Sequence, residues 1–282
     1  MTLATAPMQP SFADVDAAGN AARFVDYLDN VRKAQGIKLI DDTIANLVAS
    51  RRPELIVEIG CGTGDLLKTL VAASPRTAGI GIEKSDEFAQ EARRRHWADD
   101  RVGFVTHDLM TAPPDEALFA AGCRLGAADV VLLNRVVQHL GDPVRLLANA
   151  RPLLRPGGIA VLSDVDWTQL SVSHPDRETT ALVLAEHIQS IAFPNAGSEL
   201  GRLLVEAGYG QPEQRLGVVH EVVGFAMADG LFRLSEAANR LIDKGIVGRP
   251  VADRWLRDCR SLDADGAFIA RIPQSVVFAR TN

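Results

Sequence analysis

Cysteine is scarce in this 282-residue chain, and the three present, Cys61, Cys123 and Cys259, are scattered, odd in number and never spaced as C-x-x-C. That argues against a metal cluster and for a reducing compartment. Long apolar runs are missing too: no stretch approaches the ~18 residues of a membrane span. The opening residues, MTLATAPMQPSF, have neither a basic nor an apolar region of the kind a secretory signal needs. They read as a disordered start, and the chain is expected in the cytoplasm. Positive charge is in deficit, with a net charge of −6 and a pI near 5.6. A broad nucleic-acid footprint usually needs a basic stripe and is not expected. Arg93-Arg94-Arg95 is the densest basic run, and it reads as a solvated helix face. No metal site is expected, because the dyad His107-Asp108 has no third ligand at a recognisable spacing.

What is present is a glycine-rich turn. Leu55 to Ile59 is an apolar run of strand length; Gly60, Gly62 and Gly64 follow, and then the helical stripe Leu66, Leu67, Leu70 and Val71. A strand, a tight turn and a helix N-terminus make the geometry in which open α/β proteins hold a cofactor. Glycine permits the sharp turn and the close approach of a ligand to the backbone. The dinucleotide fingerprint G-x-G-x-x-G fails, because its third position is Asp65, and no Lys-Ser or Lys-Thr follows the glycines. Glu58 and Asp65 flank the loop, so a pyrophosphate would meet like charge. A cofactor with an ammonium and a carboxylate, and without phosphates, fits better: the turn amides take the carboxylate, and Glu58 or Asp65 the ammonium. S-adenosylmethionine has these groups. A second strand, Ala78 to Glu83, ends in an acid about twenty residues after the turn, where such folds bind ribose hydroxyls. A third, Val102 to Thr106, leads into Asp108, which can reach an adenine amine.

The stretches VEIGCGTGDLL, GIGIEKS, VTHDLM, ADVVLLNRVVQHLGDP and LLRPGGIAVLSDVDW, in this order from about Glu54 to Trp167, resemble the class I S-adenosylmethionine-dependent methyltransferases of the ubiquinone/menaquinone type. The resemblance implies an α/β, Rossmann-like, seven-stranded and mostly parallel sheet with an antiparallel last strand, plus helical cap and lid elements. It implies that Glu58, Gly60, Gly62 and Gly64, with Cys61 packed inside the turn, hold the methionine end of the cofactor. Glu83 would bind both ribose hydroxyls, Lys84 would border the adenine, and Asp108 would take its amino group beside Leu109 or Met110. Asn134 and Arg135 would line the floor below the sulfonium.

Two helical stripes precede the first strand, Phe24 to Val31 and Leu39 to Val48. The resemblance implies that residues 1–50 form a lid, from which Tyr27 and Arg32 are the candidates to reach inward, over a core of residues 51–282. Strands are expected near 55–59, 78–83, 102–106, 128–133 and 158–164, with helices between them. A helical pattern from Arg177 to Ala207 is broken near Phe193-Pro194-Asn195. Two late β-rich runs, Arg215 to Phe225 and Phe268 to Phe278, supply the last strands. A helical substrate cap of about 229–265 lies between them.

The resemblance implies methyl transfer to an oxygen or nitrogen, ahead of carbon, of a small-molecule acceptor, and a monomer or homodimer is expected; the high Ala, Arg and Gly content points to a bacterium with GC-rich codons, where a role in specialised metabolism would fit. The protein has mainly to align the reactants, and a base is needed only if the nucleophile must lose a proton. The base candidates are His139, after the fourth strand, and Asp164 and Asp166, after the fifth. His139 is widespread in the resembled family, which favours a hydrogen-bonding role, and a capped strand end with a solvated Asp is the favoured account of the two aspartates. Trp167 offers a stacking surface. The alternative is that the cofactor is bound only to shape a pocket for another reaction such as cyclisation. A nucleic-acid methyltransferase is disfavoured by the acidic balance and by Leu133-Asn134-Arg135-Val136, where such enzymes carry an Asn-Pro-Pro-Tyr-type sequence.

Overall fold

The computed structural model describes residues 15–16 and 21–281; the opening stretch expected to be disordered lies outside them. Two helices come first, α1 (Ala21–Val31) and α2 (Gln35–Ser50). The predicted alternation follows: β1 (Leu55–Ile59), α3 (Asp65–Ala72), β2 (Ala78–Glu83), α4 (Asp86–His96), β3 (Val102–Thr106), α5 (Glu116–Ala120), β4 (Ala128–Asn134), α6 (Pro143–Ala150) and β5 (Leu154–Val165). β5 starts ahead of the expected Gly158, because Leu154 already pairs with Ala128 before a register shift, after which the ladder resumes at Val130–Ile159.

The chain continues through β6 (Ser171–Val172), α7 (Arg177–Ile188), α8 (Ala196–Glu206), β7 (Gln214–Val223), α9 (Phe225–Phe232), α10 (Leu234–Asp243), α11 (Arg249–Ala264) and β8 (Ile269–Arg280). The first five strands are parallel in the order β3-β2-β1-β4-β5. β8 inserts antiparallel between β5 and β7. This is the expected Rossmann-like arrangement with one addition: the two-residue β6 pairs with β8 beyond the end of β5.

The strands are apolar on both faces, and their alternation divides two cores. Val57, Ile59, Val131, Leu133 and Leu162 pack on α6 and α8, whereas Ile56, Val130, Leu132, Ile159 and Val161 pack on α2 and α3. A third cluster joins α7 to α9, α10 and α11 through Val183, Phe232, Leu241 and Trp255. Trp255 Nε1 donates to Thr180 Oγ1 of α7 at 2.9 Å. The helical region between β7 and β8 begins at Phe225, not 229, because Gly224, with φ +92°, ends the strand early. α1 is held to α4 by Phe24 on Phe88 and by Arg95, which donates to both oxygens of Asp29 at 2.8 and 2.9 Å. Arg95, expected on a solvated face, is therefore largely buried, while Arg94 remains exposed.

Candidate active site

The carboxyl ends of β1, β2 and β4 open onto one cavity of about 920 Å³, roofed by α1 and by α7, α9 and α10. Gly60, Gly62 and Gly64 have φ of +68°, +52° and +76°, left-handed values that other residues rarely adopt. A Cβ on Gly60 would stand 2.6 Å from Val136 Cγ2. Gly60 and Gly62 line the cavity; Gly64 does not, but turns the chain into α3 beneath the Phe104 ring. Cys61 also lines the cavity, and burial pushes its thiol well above the ordinary range, which suits a packing residue.

Glu58 is fully enclosed on this wall, and its Oε2 has no hydrogen-bond partner. Burial, reinforced by the nearby Asp41 charge, raises its pKa to about 8. The fold therefore holds a carboxyl group that gains most from a cationic partner, and a ligand ammonium fits it. Glu83 is better satisfied: Gly62 N donates to Oε2 at 2.9 Å and Ser85 N to Oε1 at 3.0 Å, and burial still raises its pKa. A carboxylate has lone pairs left for two hydroxyls after those bonds. Asp108 and Leu109 line the same wall; Asp108 Oδ1 accepts from Met110 N at 2.8 Å, and Leu109 O accepts from Asn149 Nδ2 at 2.7 Å. Lys84 lies at the exposed rim.

Asp65 is not on the cavity. Arg95 donates to it at 3.2 Å, Thr63 Oγ1 at 2.8 Å, and Arg32 lies 3.9 Å away. Its charge is thus spent at the foot of α4, and because burial holds Glu58 largely protonated, neither acid supplies the like-charge argument against a pyrophosphate. Tyr27 and Arg32 both line the cavity. Tyr27 Oη donates to Leu231 O of α9 at 3.2 Å, so α1 and the cap helices meet across the cavity mouth.

Asn134, Arg135 and His139 line the floor after β4. Arg135 is left-handed at φ +59°, an unusual backbone state for a residue other than glycine. Burial, with Lys84 and Arg135 nearby, lowers the His139 pKa to about 4, so its imidazole is neutral at physiological pH. The two aspartates weighed as bases do not line the cavity. Asp164 is wholly buried: Oδ2 accepts from Gln138 N at 3.1 Å and Oδ1 from Val165 N at 2.9 Å, and burial raises its pKa to about 7. Asp166 caps the short 3₁₀ turn 167–169. Burial opposes its ionisation, but hydrogen bonds from Ser198, Thr168 and Gln169 outweigh that and hold its carboxyl below the usual range. Both carboxylates shape the end of β5 and are not available to an acceptor.

Sequence reasoning missed the other half of the cavity. Gln138 accepts from Trp167 Nε1 at 2.6 Å and fixes that ring against the cavity. His187, His220, Phe232, Arg233 and Arg240 also line it. No spacing signal could have found them, because they come from α7, β7, α9 and α10, far apart in sequence.

A left-handed glycine turn at the end of β1, a buried carboxyl group in want of a cation and a second acid at the end of β2 form an α/β site suited to an amino-acid-bearing nucleoside. Residues 57–160 match a family described as a methyltransferase domain. A Streptomyces fradiae protein, described as an uncharacterized 37.1 kDa protein in transposon TN4556, is 30% identical over 259 residues, 91% of this chain and 71% of that one. A trans-aconitate 2-methyltransferase from Methylobacterium radiotolerans is 28% identical over 159 residues; the match covers 56% of this chain and only about half (55%) of that enzyme. The solved structure of YcgJ from Bacillus subtilis shares the fold, with a TM-score of 0.55 at 14% identity over 86% of this chain and 97% of that one. The chain belongs to the class I S-adenosylmethionine-dependent methyltransferases.

Proposed function

We propose that the methyl acceptor is an oxygen or a nitrogen of a small molecule enclosed between the sheet and the cap helices. One observation carries this reading: the cavity is continuous from Glu58 and Gly60 on the sheet side to Trp167 and Phe232 on the cap side. Cofactor and acceptor thus share one enclosure, and alignment within it supplies most of the rate, of the order of 7–11 kcal/mol in well-oriented pairs.

In this reading Glu58, Gly60 and Gly62 take the methionine end of the cofactor. Glu83 takes the ribose hydroxyls, Asp108 and Leu109 border the adenine with Lys84 at the rim, and Asn134 and Arg135 form the floor. Tyr27 and Arg32 close the site from α1. S-adenosylmethionine supplies a methyl group already activated on a sulfonium. With Asp164 held by backbone N–H groups and Asp166 by Ser198, Thr168 and Gln169, His139 is the proton acceptor on the floor. A neutral imidazole takes the proton of a hydroxyl as its oxygen attacks, or that of an ammonium before its nitrogen attacks. Oxygen and nitrogen stand ahead of carbon because a base on the floor serves a nucleophile whose proton is held by a heteroatom.

The test is incubation with methyl-labelled cofactor and a panel of phenols, carboxylic acids and amines, read by product mass and by the position of the label. His139→Gln should lower kcat about 10²–10⁴-fold without changing cofactor affinity. A product whose mass does not rise by one methyl would refute the reading. The three buried, unpaired cysteines support a reducing compartment, and we assign the cytoplasm on that basis.

A further inference from the structure

The cap side of the cavity has apolar walls. Trp167 and Phe232 meet there edge to face, with ring centroids 5.8 Å apart. Into this setting the cap brings His187 from α7, Arg233 from the corner between α9 and α10, and Arg240 from α10. Two of their nitrogens are unspent. His187 Nε2 and Arg240 Nη2 are shut off from solvent and have no hydrogen-bond partner. His187 as a whole is only 6% exposed. Folds seldom leave buried polar groups unpaired, and where they do a missing ligand is a natural explanation.

The backbone and the charge balance point the same way. Arg233 is left-handed at φ +51°; with Arg135 it is one of three such non-glycine residues among the described residues, and both line this cavity. Glycine would relax either turn, whereas arginine keeps a guanidinium there at a conformational cost. Glu186 accepts from Arg240 Nε at 2.9 Å and from Lys244 Nζ at 2.6 Å, so one acid is shared between two cations. Arg233 has Glu236 at 3.7 Å, and the Glu236 Oε2 is itself without a hydrogen-bond partner. The cluster retains an excess of positive charge in a largely apolar enclosure.

We propose that this end of the cavity is an anion subsite, in which Arg240, Arg233 and His187 receive a carboxylate of the acceptor while its apolar body lies against Trp167 and Phe232. The planar fork of a guanidinium matches a carboxylate in two parallel hydrogen bonds, and an enclosed setting strengthens them. The single excess charge and the apolar walls suit a monoanion better than a dianionic phosphate. This inference rests on the methyltransferase reading only in giving the cap side to the acceptor.

Dissociation constants would be measured with S-adenosylhomocysteine present, for phenylacetate, cinnamate and decanoate, each beside its primary amide, and for benzylphosphonate. At least one carboxylate should bind ten-fold or more tightly than its amide. Arg240→Gln should abolish that preference, with S-adenosylhomocysteine affinity kept within about two-fold as the check on folding; Arg233→Gln should act in the same direction. Equal binding of every acid and its amide, or a preference that survives both substitutions, overturns the subsite. A phosphonate ten-fold tighter than every carboxylate overturns the carboxylate assignment. Loss of S-adenosylhomocysteine binding in the unaltered protein would instead sink the cofactor reading, so the two failures are distinguishable.

Discussion

Binding of the cofactor's ammonium should expel a proton from Glu58. Burial, and then the neighbouring Asp41 charge, lift this carboxyl to about 8 from an ordinary 4.5, so at pH 7 roughly nine molecules in ten carry the proton. A cation at the unpaired Oε2 favours the ionised form and returns the pKa toward its ordinary value. Binding at pH 7 should therefore release about 0.9 proton, and affinity should rise close to ten-fold per pH unit between about pH 5 and 7.5. The gain ends near pH 8, where Glu58 is already ionised and the α-amino group itself begins to lose its proton. The same linkage acts on folding, with its sign set by a pKa raised above the unfolded value. The stabilising state is present below 4.5 and is lost as pH rises through 8, so the free protein forfeits about 3 kcal/mol by pH 7. Calorimetric titration with S-adenosylhomocysteine at pH 7, in phosphate and in Tris, gives the proton count from the dependence of heat on buffer. The count should fall to zero in Glu58→Gln, and that variant's stability relative to the parent should improve steadily from pH 5 to 8. No proton released by the parent protein, or the same release by the variant, would refute the reasoning.

Two further substitutions separate binding from scaffolding. Glu83→Ala should weaken S-adenosylhomocysteine binding by about 1–3 kcal/mol by calorimetry, through loss of charge-assisted hydrogen bonds and of the Gly62 anchor. Asp164→Asn should lower the melting temperature, because an amide oriented to accept from one of the Gln138 and Val165 N–H groups turns its own NH₂ toward the other; cofactor affinity should stay within two-fold, since the side chain does not reach the cavity.

The sheet was legible from local pattern. β1, β2 and β3 fall on the predicted residues, and the antiparallel insertion of the last strand agrees with the family resemblance. The glycine turn was equally legible, because left-handed backbone at three alternating positions admits few side chains other than hydrogen. Glu58 and Glu83 could be singled out because each sits at or near the end of a strand a fixed distance from that turn. Asp65, Asp164 and Asp166 stood in equally suggestive places but misled, because spacing says where a carboxylate begins and nothing about what neutralises it. Arg95 takes the first, backbone N–H groups the second, and Ser198 with a 3₁₀ turn the third.

The sequence by itself determined what depends on neighbours within a few residues: strands from apolar runs, the turn from its glycines, and from them the cofactor class. Only the tertiary structure decided the cap half of the cavity. His187, Arg233 and Arg240 meet Trp167 because α7, α9 and α10 pack as one apolar cluster over the end of β5. The shifts of Glu58 upward and of His139 downward arise at the same level, since desolvation, their largest cause, depends on the whole packed surroundings of a group and not on its place in the chain alone.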